Sequence, residues 1–402
     1  MIPIQEAQQI VKDNLPQRQV EQIALADALG RLLTEDIYAA EPSPRYSNSA
    51  MDGFAVRWED VQSATESNPV RLKIVGESRA GVPFTHRLQS GQAIRINTGA
   101  MICDGADTVI PIEDSEDNEN TLRIKTVKKS QQHLRFEGEE FGKGALLLKQ
   151  GTILNPARLA LLASQGIASV RTYRKPGISV IVTGTELVRF YEPAKPWQIR
   201  DSNGLMLSAS VQQSKGNILL SVQVGDDYEK TVSAINTALG DSQIILFSGG
   251  ISVGEHDLVK NAAEECGFET LFWRVSQKPG KPLFFARKGE TLFFGLPGNP
   301  VSAYVCYRFY VHPVIRYLTG EKFEHPTLQG KLAKSVRNDS ERTNLLRVAI
   351  EPNGHQRPAI HPLSKQGSHM ISSISDAHGF LIVEPGNEFK EGELVEVIIF
   401  AD

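Results

Sequence analysis

Residues 243–266 read QIILFSGGISVGEHDLVKNAAEEC, and this stretch decides the fold class. The apolar run at 243–247 predicts a buried strand, and the two glycines that follow Ser248 predict a tight turn. Residues 258–266 have the apolar spacing of a helix. A buried strand, a glycine turn and a helix in this order form the repeating unit of sheets whose parallel strands alternate with helices.

The same order recurs through residues 175–322. Further strands are predicted at 178–182, 218–224 and 291–295, and further helices at 203–213, 228–239 and 302–318. Because a helix of this length can return the chain from the end of one strand to the start of the next, the strands are expected to run parallel. The sequence therefore predicts a doubly wound α/β domain in this region.

The chain on either side of this region has different patterns. Apolar residues at 4, 7, 10 and 11 predict a helix that Pro16 ends, and further helices are predicted at 24–33 and 156–165. Short apolar runs between turn residues predict a small β-rich domain, and alternating short strands predict a second one after residue 321. We expect four domains: a helical and extended N-terminal region (1–46 with 135–174), an inserted β domain (47–134), the α/β domain (175–322) and a C-terminal β domain (323–402).

The composition argues against several classes of function. The 43 basic and 47 acidic residues give a net charge of −4, which disfavours a nucleic-acid partner. No stretch approaches the roughly 20 apolar residues of a membrane helix, so we expect no membrane attachment. Three widely spaced cysteines indicate neither a disulfide framework nor a zinc site and fit a reducing compartment. The first residues do not resemble a signal peptide, so a cytoplasmic location is expected.

Three predicted strands of the α/β domain end in turns that contain glycine. These turns are TGTE at 183–186, SGG at 248–250 and LPGNP at 296–300. Ligands of parallel sheets bind at the carboxyl ends of the strands, where glycine admits close approach and helix N-termini attract anions. One such turn is explained as a tight connection, but three on one edge favour a phosphate or another oxyanion. No P-loop or dinucleotide-binding pattern is present, so the anion site is of another kind.

Acidic residues accompany these turns. Glu186 follows the first turn, Asp226 and Asp227 follow the strand at 218–224, and Asp257 follows the second turn. Each of these acids alone also fits a role at the start of a helix. Carboxylates next to a phosphate are typical ligands of Mg²⁺, so their common sheet edge favours a magnesium site.

Two further segments could face a ligand. KPGKP at 278–282 holds two lysines on a stiff chain, and two ammonium groups held close together repel unless an anion lies between them. The alternative is a pair of solvated lysines on a loop. NSAMDGFA at 48–55 places Asp52 either in a ligand-facing loop or in a plain turn before a strand.

Taken together, these segments resemble one family. NSAMDGFA, TGA, LR…GE, TGTEL, DSN, SGGISVGEHD, KPGKP, LPGNPVSA and QGS occur in this order between about residue 20 and residue 385. The order is similar to that of the molybdopterin molybdenumtransferases, the MoeA family, to which the C-terminal domain of gephyrin also belongs. The resemblance implies a homodimer whose α/β domain is similar to MogA-type adenylyltransferases. It also implies an active cleft between this domain of one subunit and the N-terminal parts of the other.

The resemblance further implies the chemistry. Members of the family take adenylylated molybdopterin and molybdate, release AMP and form molybdenum cofactor with the help of Mg²⁺. Partners could include a MogA-like molybdopterin adenylyltransferase and maturation factors of molybdenum enzymes. Two alternatives stay open: a molybdopterin adenylyltransferase, and a molybdopterin-binding scaffold that has lost catalysis.

The positions that match the family's motifs are the candidate site residues. The catalytic candidates are Asp52, Glu186, Asp257, Lys278 and Lys281. The metal-binding candidates are Glu186, Asp226, Asp227 and Asp257. The residues expected to hold the substrates are Thr98, Arg135, Gly184, Ser248, Gly249, Gly250, Ser252, Gly254, Pro297, Gly298, Asn299, Pro300, Ser302, Arg347 and Ser368.

The chain departs from the family pattern at three positions. Thr185 stands where the family's TGDEL has Asp, Glu140 stands where GED has Asp, and Glu137 stands where a basic residue is often found. Thr185 removes a negative charge from the expected metal site, whereas Glu137 adds one near an anionic substrate. We expect these differences to act on metal affinity and rate rather than on the fold.

Overall fold

The structure, a computed structural model, describes residues 1–251, 258–354 and 356–400. The chain forms two compact units, one of residues 1–22 together with 172 onward, and the other of residues 23–171. Among the described residues, no helix has the length and apolar character needed to span a bilayer.

A six-stranded sheet forms the centre of the first unit. Its strands lie in the order Asn217–Val224, Gly177–Thr183, Ile244–Ser248, Thr291–Leu296, Phe284–Lys288 and Glu269–Trp273. The first four pair in parallel, which confirms the predicted parallel strands to within one residue at most ends. The last two pair antiparallel and were not predicted from the sequence.

Helices cover both faces of this sheet. On one face, Val180 and Leu246 pack with Leu207 of the helix Asn203–Gln213 and with Val305 of the helix Pro300–Cys306. On the other face, the next residue of each strand packs against the helices Tyr228–Leu239 and Leu258–Glu265. Since successive strand residues point to opposite faces, a continuous apolar strand needs a helix layer on each side. The doubly wound α/β prediction is confirmed.

The helix predicted at 302–318 has three parts. It starts as an α-helix at Pro300–Cys306, continues as a π-helical turn at Tyr307–Val311 and ends as an α-helix at His312–Leu318. Proline suits the first position of a helix because the N–H there has no intrahelical partner. All five residues of the π-helical turn are buried.

A small β-barrel follows in the same unit. Thr327–Leu332, Thr343–Asn353, Gln356–Pro362, Gly379–Val383 and Leu394–Ile399 close on one another around Val348, Ile360 and Leu381. The short strand Gln277–Lys278 of the α/β domain pairs with Thr343 and Asn344 of this barrel. The predicted C-terminal β domain is therefore confirmed. The N-terminal helix Ile4–Asp13 also lies in this unit and buries Ile4, Ala7 and Val11 in the core of the α/β domain.

The second unit contains a mixed sheet of six strands. The strands lie in the order Thr108–Pro111, Gly53–Val56, Gln92–Ile96, Val70–Ser78, Thr121–Ile124 and Ser115–Asn118. The predicted β-rich character of this region is confirmed. The helix Pro156–Ser164 begins at Asn155, whose side chain accepts a hydrogen bond from the Arg158 N–H.

The prediction of a helix at 24–33 is wrong. Only Leu25–Asp27 forms a short 3₁₀ turn, and Gly30 has a φ of 73° that ends any helix. The N–H groups of Gly30 and Leu33 donate to carbonyls of Leu154 and Thr152. Residues 152–154 thus accept the backbone hydrogen bonds that these N–H groups would have donated within a helix.

Candidate functional site

The three glycine turns meet at one cavity of about 740 Å³ at the carboxyl ends of the parallel strands. Its lining includes ten of the predicted site residues, namely Gly184, Glu186, Asp226, Ser248, Gly249, Gly250, Pro297, Gly298, Asn299 and Pro300. The expectation that separate strands bring their turns to one edge therefore holds. The carboxylates of Glu186, Asp201 and Asp226 also line the cavity.

Asp226 organises the first turn. Its carboxylate accepts hydrogen bonds from the Thr183 hydroxyl (2.9 Å) and from the Thr185 N–H (3.1 Å). The carboxylate of Glu186 lies so close to Gly184 that an added Cβ would be 2.9 Å from it. Glu186 and Asp226 are both exposed and line the same cavity.

Asn203 connects the second and third turns. Its buried amide N–H₂ donates to the Ser248 hydroxyl (2.9 Å) and to the Gly298 carbonyl (2.8 Å). Since a carbonyl can only accept, these bonds fix which end of the amide is nitrogen. Asn203 was not selected from the sequence, although it belongs to the DSN motif. Its role in connecting the two turns is visible only from its tertiary contacts, because no local sequence pattern indicates it.

Several predicted residues have other positions. Asp227 does not line the cavity and instead caps the helix Tyr228–Leu239 by accepting from the Lys230 N–H (2.9 Å). Ser302 is buried in its helix and also does not line the cavity. Ser252, Gly254 and Asp257 lie outside the described residues, so their predicted roles stay predictions.

The lysine turn, residues 277–282, lies beside this cavity. Pro282 is part of the lining, but Lys278 and Lys281 are not. Lys278 is exposed on the strand that pairs with Asn344 of the barrel. The lysine pair is therefore next to the cavity rather than inside it.

The barrel contributes two predicted residues. The Asn299 amide donates to the Ser368 hydroxyl at 3.3 Å, which brings the QGS loop to the third turn. Arg347 is completely buried, and its guanidinium donates to the carbonyl of Lys365 at 3.1 Å. Two of its nitrogens have no hydrogen-bond partner in the part of the chain that is described, and burial lowers the pKa of Arg347 to about 10. Neither Arg347 nor Ser368 lines the cavity, so their predicted contacts with a substrate stay predictions.

The second unit brings Asp52 and Thr98 into contact. Asp52 accepts a hydrogen bond from the Thr98 N–H at 2.6 Å, and this bond lowers the pKa of Asp52 below its usual value. Arg135 pairs with Asn48 in a short antiparallel ladder. Asp52, Thr98 and Arg135 are all exposed. The term second polar surface denotes these three exposed residues.

Comparison with known protein families identifies the architecture. Models described as the MoeA N-terminal region (domain I and II), a probable molybdopterin binding domain and the MoeA C-terminal region (domain IV) match residues 2–166, 179–317 and 329–400. The molybdopterin molybdenumtransferase of Bacillus subtilis is 33% identical over 100% of this chain and 94% of its own. That of Haemophilus influenzae is 34% identical over 99% of this chain and 98% of its own.

The chain belongs to the molybdopterin molybdenumtransferase family. The structure of a molybdopterin biosynthesis MoeA protein from Pyrococcus horikoshii matches over 100% of both chains with a TM-score of 0.84 and 32% identity. The resemblance seen in the motifs is confirmed, and so are the fold class and the enzyme class. This molybdopterin molybdenumtransferase family member is a transferase of molybdenum cofactor biosynthesis.

The donor set at the cavity fits Mg²⁺. Glu186 and Asp226 line the cavity together with Asp201, whose carboxylate also accepts a hydrogen bond from the Gly204 N–H. Mg²⁺ is typically held by one or two carboxylates together with phosphate oxygens and water. Nowhere in the described ranges do three acidic, histidine or cysteine side chains converge as a metal site. One or two carboxylates would leave positions on Mg²⁺ for phosphate oxygens of a substrate and for water.

Proposed function

We propose that this chain transfers molybdenum from molybdate to adenylylated molybdopterin, with release of AMP and formation of molybdenum cofactor. The observation that carries the proposal is the convergence of three glycine turns and the carboxylates of Glu186, Asp201 and Asp226 on one cavity. Such a cavity suits a pyrophosphate, because backbone N–H groups and a divalent cation both neutralise phosphate oxygens. The family names of the relatives supply the pterin and the molybdenum.

Different residues of the cavity would bind the pyrophosphate and the metal ion. The turns at 183–186, 248–250 and 296–300 would bind the pyrophosphate, and Glu186 and Asp226 would hold Mg²⁺. The family motif adds Asp257 to these two. Bound Mg²⁺ supplies Lewis acid stabilisation of phosphate charge. Asp226 has a second role, since its bonds to Thr183 and Thr185 hold the first turn in place.

The second substrate, molybdate, is a dianion. We assign its binding to Lys278 and Lys281 together with Arg347 and Ser368. The lysine turn and the Ser368 loop both lie at the edge of the cavity, and Arg347 has two nitrogens without partners among the described residues. Holding both substrates at one cavity would provide much of the rate through orientation.

We also propose that the chain acts as a homodimer. Its second polar surface of Asp52, Thr98 and Arg135 would bind substrate. A MogA-like adenylyltransferase would supply the adenylylated pterin. Size-exclusion chromatography with light scattering tests the dimer, for which twice the monomer mass is expected. A monomer that is fully active would contradict it.

AMP release from adenylylated molybdopterin, followed while molybdate is titrated, tests the function. We expect molybdate-dependent AMP release in the wild type and a higher molybdate requirement in Lys281→Ala, with the pterin requirement little changed. Lys331→Ala, which changes an exposed lysine on the barrel strand Thr327–Leu332, is the matched control. ATP consumption with free molybdopterin would instead indicate an adenylyltransferase. Pterin binding without any AMP release would indicate a scaffold.

A further inference from the structure

A buried polar cluster connects the first residue of the lysine turn to the helical segment 300–311. It consists of Gln277, Tyr310 and Cys306, each with no exposed surface. None of the three lines the cavity, and none was selected from the sequence. Burying polar groups costs free energy unless they are hydrogen-bonded to each other. A buried cluster whose members are paired holds its side chains in fixed positions, so this one can fix the conformation of the turn above it.

Gln277 is the centre of the cluster. Its side-chain N–H₂ donates to the Gly280 carbonyl at 3.1 Å and lies 3.4 Å from the Cys306 sulfur. Its side-chain oxygen accepts a hydrogen bond of 2.6 Å from the Tyr310 hydroxyl. Gln277, the first residue of the lysine turn, thus links the turn to itself at Gly280 and to Tyr310.

Close packing at Gly280 shows how tightly the turn is seated. Gly280 has a φ of 90°, and an added Cβ would lie 2.5 Å from the Cys306 sulfur and 2.7 Å from the Gln277 amide nitrogen. Any larger residue would lift the turn from the cluster. Gly280 lies between Lys278 and Lys281, so its position sets how the chain runs from one lysine to the other.

Tyr310 reaches the cluster from the π-helical turn. Two tyrosines of that turn make buried hydrogen bonds to different places. The Tyr310 hydroxyl bonds to Gln277 of the lysine turn, whereas the Tyr307 hydroxyl donates to the Ser210 carbonyl at 2.7 Å. π-Helical turns are often found at functional sites, where an extra residue re-aims a side chain.

We propose that Gln277 and Tyr310 are positioning residues for the lysine pair. Two ammonium groups on one short turn repel each other when they come close, so a loose turn would let them move apart in the absence of the anion. The bond between Tyr310 and Gln277 holds the turn in one conformation, so that less ordering is needed when an oxyanion binds. This inference rests on the proposed role of Lys278 and Lys281 in binding molybdate.

The inference makes a selective prediction for Tyr310→Phe. Loss of the hydroxyl should raise the KM for molybdate roughly three- to tenfold, as expected for one buried hydrogen bond, and leave the KM for adenylylated molybdopterin unchanged. Tyr307→Phe is the matched control, because it removes a buried hydroxyl from the same turn without touching Gln277. It should destabilise the protein in urea at least as much, because the Tyr307 hydroxyl also lies 2.8 Å from the Ser214 hydroxyl, while the KM for molybdate stays at the wild-type value.

Three outcomes decide the test. A higher KM for molybdate in Tyr310→Phe but not in Tyr307→Phe supports the inference. Equal effects of the two variants, or a rise in both KM values, would mean that Tyr310 is merely structural and would overturn it. Lys281→Ala, assayed in parallel, separates the two proposals. If Lys281→Ala has no effect on molybdate, the lysine assignment itself is wrong, whereas an effect in Lys281→Ala without one in Tyr310→Phe refutes only the positioning role.

Discussion

His312 gives a prediction about acid stability that can be worked through from the structure. Its side chain is 4% exposed, and its Nδ1 lies 2.9 Å from the Ser214 hydroxyl. Burial lowers the pKa of His312 to about 3, and the nearby Arg308 and Arg316 contribute in the same direction. The ring is therefore neutral in the folded protein over the whole physiological range, whereas in the unfolded chain it titrates near 6.5.

The sign and size follow from proton linkage. Below pH 6.5 the His312 ring is protonated in the unfolded chain but stays neutral in the folded protein. The free energy of unfolding therefore decreases as the pH falls from 6.5 towards 3. At pH 5 the unfolded state gains about 2 kcal/mol from this one residue relative to pH 7.5. That is a large part of a typical folding stability of about 5–15 kcal/mol.

Urea unfolding of the wild type and of His312→Asn at pH 7.5 and pH 5 measures this contribution. Asparagine can still hydrogen-bond to the Ser214 hydroxyl but does not titrate. The variant will be less stable than the wild type at pH 7.5, and its further loss on acidification should be smaller by about 2 kcal/mol. The same loss in both proteins would refute the claim that His312 is buried in the neutral form.

Three further predictions concern the candidate site. Asn203→Ala removes two buried hydrogen bonds, so urea unfolding should show a loss of about 1–3 kcal/mol, and the KM for adenylylated molybdopterin should rise because two turns lose their connection; wild-type values of both would contradict the connecting role. Asp52→Asn should abolish AMP release while the circular dichroism spectrum stays that of the wild type; normal turnover would exclude Asp52 from catalysis. Thr185→Asp adds a carboxylate next to Asp226 and Glu186 and should lower the Mg²⁺ concentration needed for half-maximal AMP release; an unchanged requirement would place Mg²⁺ away from residue 185.

The main features of the α/β domain could be predicted because they depend on local patterns. The strand Ile244–Ser248 and the helices Asn203–Gln213 and Tyr228–Leu239 were found with their ends at, or within one residue of, the observed positions. Apolar periodicity and glycine placement determine such elements through neighbours along the chain. The strands Glu269–Trp273 and Phe284–Lys288 were missed, because they pair antiparallel without a helix between them and so depart from the alternation of strand and helix.

The candidate site was predicted only in part. The sequence proposed Asp226 and Asp227 on equal terms, yet Asp226 faces the cavity and Asp227 caps a helix. Adjacent side chains point in different directions, and the local pattern does not say which one meets the ligand. The segment 24–33 shows the same limit, because its backbone bonds go to residues near 153 rather than along a helix.

By itself, the sequence determined the family, the layered α/β class and the three turns on one edge, since motifs, apolar periodicity and glycines are encoded residue by residue. Only the tertiary structure decided which side chains connect those turns. Asn203 joins turns that are 45 and 95 residues further along the chain, and Tyr310 bonds to Gln277 across 33 residues. Such bonds depend on how complete elements pack, so they are absent from any local pattern and arise only when the chain has folded.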